Sequence, residues 1–191
     1  LHDYMKVGIV HFMAYPFAQS GQEPVADAIA EIVEDDFFDA IEVTRIDDDA
    51  ERRRVADLLD SSGVAVGFGG QPYILKGKLN LNSPDEEERA HAIDVLKGGI
   101  DQAYELGAGK FGFLSGPRPP AGERDRALEL LADSIIQLGR YARSKGDLVL
   151  SLETFDDSTD KRALIGTNRM ACELAYEVRK AIPDFGLMVD L

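Results

Sequence analysis

The 191-residue chain holds one cysteine, three histidines and no apolar run approaching the roughly 20 residues that span a bilayer. A lone Cys172 excludes an internal disulfide. Its neighbours Ala171, Leu174 and Ala175 put it on a packed helix face, where a structural thiol rather than a reactive one is expected. The first residues, LHDYMKVGIVHF, lack the basic-then-apolar layout of a secretion signal, so the cytoplasm is the expected compartment. Positive charge is scarce as well. Lys and Arg number 21 against 35 Asp and Glu, for a formal net charge of -14. Such a surface repels phosphate backbones and anionic bilayers, which disfavours nucleic acid and membranes as partners. No GxGxxG fingerprint follows the first strand, where HFMAYP (His11 to Pro16) stands instead.

What the chain does have is 45% hydrophobic residues, enough to bury a sizeable core, and its length predicts a single domain over 1–191. KVGIVHF (Lys6 to Phe12), rich in β-branched residues, predicts a first strand with His11 near its exit. Pro24 is expected to open a helix carrying Val25, Ala28, Ile29, Ile32 and Val33 at helical spacing. Ala40 to Ile46 predicts the second strand, and a helix from about Ala50 buries Val55, Leu58 and Leu59 before Gly63 stops it. Val64 to Gly70 predicts the third strand, followed by a long loop, QPYILKGKLNLN. Ser83, Pro84 and Glu86 form a capping-box pattern for the next helix, which carries Ile93, Leu96, Ile100 and Ala103. KFGFLSG predicts the fourth strand, Glu123 to Lys145 a long amphipathic helix, and Thr167 the cap of a last helix with Met170, Leu174 and Val178 buried.

The fifth strand organises the rest. In LVLSLETFDD (Leu148 to Asp157), period two sets Leu148, Leu150 and Leu152 on one face and Val149, Ser151 and Glu153 on the other. A carboxylate thus ends an apolar strand, where a cation, a hydrogen-bond network or water must meet it. FGLMVDL (Phe185 to Leu191) repeats the pattern one strand later, with Asp190 at its end. Six βα steps without a hairpin signal imply a parallel sheet with helical crossovers. Polar residues recur at the strand exits (His11, Gln71, Ser115, Glu153, Asp190), which favours an α/β (β/α)₈ TIM barrel over an open sheet. Steps of about 36 residues would need roughly 260 for eight, so six units are expected in this chain and the barrel is expected to be incomplete at its C-terminus.

In their order and spacing, LNLNSPDEEERAHAIDVLKGGIDQAYELGAGKF, LSLETFD and LMVDL resemble the xylose-isomerase-like barrels. That family includes sugar-phosphate isomerases, ketose 3-epimerases, inosose dehydratases and, more distantly, endonuclease IV. The resemblance implies a divalent metal held by the carboxylates that end strands five and six, here Glu153 and Asp190, with a His and a Glu from strands seven and eight beyond Leu191. It implies a metal-dependent sugar or sugar-phosphate isomerase or epimerase working through an enediolate, with Glu153 catalytic. Oxygen ligands suit Mn²⁺ or Mg²⁺, with Zn²⁺ the alternative. His11, Gln71 and Ser115 are expected to contact substrate, a small sugar or sugar phosphate, and a homo-oligomer is left open.

Blander roles stand beside these. Glu153 on position alone is more often an ion-paired carboxylate than a ligand, and His11 is as well explained as a hydrogen-bonded core histidine. His2 and His91 suit the surface, and Glu42 suits a buried ion pair. Arg118, Lys161 and Arg162 are expected to be solvated loop cations, a phosphate site being the alternative. The competing functions are an inosose dehydratase-like lyase, an endonuclease IV-like phosphodiesterase and a non-catalytic binding barrel. The phosphodiesterase is disfavoured because Gln71 and Ser115 stand where its zinc-binding histidines would be drawn from.

Overall fold

The computed structural model describes residues 2–189. Six parallel strands alternate with helices and lie in the sequential order β1-β2-β3-β4-β5-β6, an α/β arrangement. The chain gathers into two compact units, one comprising the residues up to Gly69 with Gly99–Phe111, the other Gly70–Gly98 with the residues from Gly112 on. No helix among the described residues is long and apolar enough to cross a membrane.

In the first unit β1 (Gly8–Val10) runs straight into α1 (His11–Ala14), a single turn. Then come α2 (Ala26–Val33), β2 (Ala40–Val43), α3 (Asp49–Ser62) and β3 (Ala65–Gly69). The register pairs Gly8 with Ala40 and Val10 with Glu42, then Ala40 with Ala65 and Val43 with Phe68. The start of α3 follows from its sequence, because Asp48 accepts the Glu51 N–H at 2.7 Å, and Gly63 ends the helix at φ 71°, a left-handed conformation that costs glycine little. The Glu51 carboxylate reaches across to α2, where its Oε1 accepts the N–H groups of Val25 (2.7 Å) and Ala26 (2.8 Å). Ile29, Ile41, Val43, Val55 and Leu59 fill the core, and the fully buried rings of Phe68 and Phe111 stack at 5.4 Å.

The second unit opens with α4 (Gln71–Gly77) and holds the first half of α5 (Glu86–Glu105). It continues from β4 (Lys110–Leu114) through α6 (Arg124–Arg143), β5 (Val149–Glu153), α7 (Asn168–Arg179) and β6 (Gly186–Met188). Along β5 the burial alternates as period two requires: Leu150 and Leu152 are buried, while Val149, Ser151 and Glu153 are half-buried. Ser151 pairs with Gly186 and Glu153 with Met188. Leu131, Ile135, Leu138, Leu164, Ile165 and Val178 make the core. The buried Ser134 hydroxyl meets the Leu81 carbonyl at 2.7 Å.

Several local expectations change. Residues 71–77, expected as loop, form α4, because Pro72 suits a first turn while Tyr73 and Ile74 find burial, a run too short to show a period. The α5 cap lies two residues later than the capping-box pattern suggested. Asp85 Oδ1 accepts the N–H groups of Glu87 (2.9 Å) and Glu88 (3.1 Å), and the Ser83 hydroxyl donates to the Glu88 carboxylate. Pro24 precedes α2 rather than opening it, the helix beginning at Ala26. Cys172 is exposed, correcting the packed-face reading: Ala171, Leu174, Ala175 and Val178 already form the buried stripe of α7, and residue 172 falls one step off it. The Thr167 cap holds, its side chain accepting the Met170 N–H.

Replacing Glu51 by Ala removes the acceptor for two otherwise orphaned N–H groups of α2. It should lower stability by about 1–2 kcal/mol in urea unfolding at pH 7, whereas truncating a solvent-facing acid such as Asp57 should change it by less than about 0.5 kcal/mol.

Candidate active site

Glu153 ends β5, and its carboxylate is met by an amide. Gln71 Nε2 donates to Glu153 Oε2 at 2.8 Å. Gln71 comes from the turn that leaves β3, and its place is fixed from the backbone up. The Gly70 N–H donates to the Gly112 carbonyl at 2.6 Å, pinning the start of α4 to the middle of β4. The side chain then lies over Gly112, where a Cβ would stand 3.2 Å from Gln71 Nε2 and 3.0 Å from Met188 Cε. A side chain at position 112 would therefore crowd the amide where it reaches Glu153. The amide orientation follows from charge, since reversing it would set one oxygen against another. Gln71 is only 7% exposed, and its Oε1 has no hydrogen-bond partner among the described residues. A buried acceptor left so costs about 1–3 kcal/mol.

Around this pair, the segments after β4 and β5 are stitched together. The buried Ser115 hydroxyl accepts the Ile165 N–H at 3.1 Å, Leu164 N–H donates to the Gly116 carbonyl at 3.0 Å, and Arg118 N–H donates to the Arg162 carbonyl at 2.7 Å. Ser115 thus has a backbone-holding task. Arg118 Nη1 meets the Asp157 carbonyl at 3.0 Å and its carboxylate at 3.3 Å, while Lys161 pairs with Asp160 at 2.8 Å. Asp156 gathers the N–H groups of Lys161 (2.8 Å), Thr159 (2.6 Å) and Asp160 (2.8 Å). The Lys161 N–H, then those of the other donors, hold its carboxyl far below the usual carboxylate range. Asn82 donates to the Pro117 carbonyl at 3.0 Å, and its buried Oδ1 has no partner among the described residues.

The structure thus brings together Gln71 and Glu153 of the expected site residues, with Ser115 in the same unit. Asp190 lies outside the described residues. Among the described residues no three His, Cys, Asp or Glu side chains gather closely enough to hold a metal ion. His11 belongs to the first unit. It begins α1 and lines a small cavity with Ala18, Val25, Ile29, Val43 and Thr44, so it packs between β2 and α2. It is 1% exposed, and neither ring nitrogen has a partner among the described residues. His2 and His91 are exposed, His2 bonding Asp39 at 2.6 Å. Sequence reasoning passed over Gly112, Asn82 and Asp156. An isolated glycine inside the strand pattern KFGFL signals a close approach, and Asp followed by Asp, Ser and Thr signals a side-chain-to-backbone turn.

Six parallel βα steps, with a carboxylate and its amide partner after the strands, define a barrel-type α/β protein. The chain belongs to the xylose isomerase-like TIM barrel family, whose model matches residues 27–191. Among solved structures it is similar to D-psicose 3-epimerase from Clostridium cellulolyticum H10 crystallised with D-tagatose (TM-score 0.77, 18% identity, 97% of this chain and 63% of that one). It is also similar to a D-tagatose 3-epimerase-like protein (0.74, 19%, 97% and 65%) and to an L-ribulose 3-epimerase (0.74, 19%, 97% and 60%). At such identities the likeness shows the fold, and the chain spans less than two thirds of the length of each. No curated protein matches it.

Burial holds the His11 pKa down, from 6.5 to about 4. The folded state then favours the neutral ring, and between these two values the unfolded chain binds more protons. Stability is therefore full above about pH 6.5 and falls as the pH drops towards 4, by at most about 3 kcal/mol from this group. Urea unfolding at pH 7 and pH 4.5 should show a smaller acid loss in His11→Leu than in the wild type. Equal losses would mean that His11 carries no such penalty.

Proposed function

We propose that the full-length protein is a divalent-metal-dependent ketose epimerase or isomerase in which Glu153 moves the proton on a carbon beside a carbonyl. The observation that carries this reading is the Glu153 carboxylate at the end of β5, half-buried and held by the Gln71 amide, in a chain of the xylose isomerase-like family. The similar solved structures are named as D-psicose, D-tagatose-like and L-ribulose 3-epimerases, which supports epimerisation of a ketose over the lyase and phosphodiesterase readings. Arg118 and Lys161 are engaged with Asp157 and Asp160, which favours a neutral sugar over a sugar phosphate.

The donor chemistry fits a hard cation: a carboxylate oriented by an amide is the usual environment of an oxygen ligand for Mn²⁺ or Mg²⁺. Glu153 would be one ligand and Asp190 the second. When bound, the cation would supply the positive charge that acidifies the carbon-bound proton and steadies the enediolate. Glu153 takes that proton as general base. A proton delivered to the opposite face of the same carbon by a second acid on that side completes an epimerisation, whereas Glu153 handing its own proton to the neighbouring carbon completes an isomerisation. The Gln71 amide keeps the carboxylate from turning away from the reacting carbon, and the stitched loops after β4 and β5 hold the surrounding wall.

The test is solvent-deuterium incorporation into a panel of free ketoses by the full-length protein, with Mn²⁺ or Mg²⁺ and with chelator. Glu153→Gln keeps the shape but removes the charge and the basic oxygen, so exchange should fall by about 10²-fold or more. Metal-independent exchange, or full activity in that variant, would overturn the mechanism.

A further inference from the structure

The Gln71 side chain reaches from the start of α4 across Gly112 of β4 to the end of β5. The Gly70 N–H to Gly112 carbonyl bond sets where the chain crosses, Gly112 leaves the space, and Nε2 reaches Glu153 Oε2 at 2.8 Å. If Gln71 served only to fill space, an apolar side chain of the same length would serve better, because the glutamine leaves its buried Oε1 without a partner among the described residues. What the amide provides, and an apolar side chain cannot, is a donor for a charged acceptor. Such bonds are shorter and stronger than neutral ones and fix direction as well as distance.

We propose that Gln71 is a positioning residue for Glu153: laid across Gly112, its amide sets the rotamer of the carboxylate, so that Glu153 presents a single orientation to cation and substrate. Gly112 is the second part of the device, since a Cβ there would stand 3.2 Å from Nε2 and press the amide to shift by a few tenths of an ångström. This deepens the ketose reading above and rests on it. Partners that orient ligating carboxylates are worth about 10–100-fold in metal affinity or activity, which sets the size of the effect.

The experiment compares Gln71→Met, Gly112→Ala and the double variant with wild type, all as full-length protein. It reads Mn²⁺ affinity by calorimetric titration, kcat and KM for deuterium exchange of the ketose that the wild type turns over, and the unfolding midpoint of the metal-free protein. Gln71→Met preserves length and packing without the donor. It should weaken Mn²⁺ binding and lower kcat by about 10–100-fold each, with KM within about two-fold and no fall in the metal-free midpoint. Gly112→Ala should act in the same direction, and the double variant should be no worse than the poorer single one, because both changes break one contact. Wild-type Mn²⁺ affinity and kcat in Gln71→Met would overturn the proposal, as would a loss confined to KM or one that follows a lowered midpoint. A wild type that exchanges no ketose overturns the catalytic reading alone. The Mn²⁺ titration then decides the positioning role, which stands if Gln71→Met weakens binding and falls if it does not, or if the wild type binds no Mn²⁺.

Discussion

A carboxylate that closes a strand of otherwise apolar residues must be given hydrogen-bond donors, and in this protein that requirement reaches from β5 to the middle of β4 and the start of α4. Glu153 is served by Gln71, Gln71 is placed by the backbone bond between Gly70 and Gly112, and Gly112 has no side chain where the amide passes. Each element alone looks unremarkable: a glutamine in a turn, a glycine in a strand. Together they tie one residue at the end of β5 to the start of α4 and the middle of β4. The arrangement also leaves a buried acceptor on the same amide without a partner among the described residues, a local conflict that packing alone does not explain.

The architecture was legible because parallel strands between amphipathic helices write two clean periods into a chain. Leu148, Leu150 and Leu152 against Val149, Ser151 and Glu153 gave both the strand and the carboxylate at its end, and the stripe from Met170 to Val178 gave α7. Features that depend on a single turn or on distant partners were not legible. α4 has seven residues, too few for a period, and α1 has four, so a strand exit at His11 and a helix start there look alike in sequence. Cys172 was misplaced because apolar neighbours in sequence are not neighbours around a helix. Glu153 and Gln71 were singled out by their positions after strands, but that one should hold the other across an intervening glycine depends on contacts between residues 82 positions apart.

The loops after β4 and β5 divide their tasks differently from what their composition suggests. Arg118, Lys161 and the run of aspartates look like a solvated charge cluster. In the fold, Arg118 closes onto Asp157, Asp156 turns inward on its own backbone, and Ser115 fastens Ile165. Here Arg118 and Lys161 are paired with carboxylates of the loop after β5 rather than standing alone in solvent.

Glu51 plays an unusual part in the first unit. Its N–H is taken by Asp48 at the start of α3, while its carboxylate takes two N–H groups at the start of α2. The first turns of two helices therefore share one residue, and fraying of α3 would release the end of α2 with it. Helices joined in this way open as one cooperative block, so their amide hydrogens should exchange with solvent on a common clock, although 15 residues of chain, including a whole strand, separate the two helices.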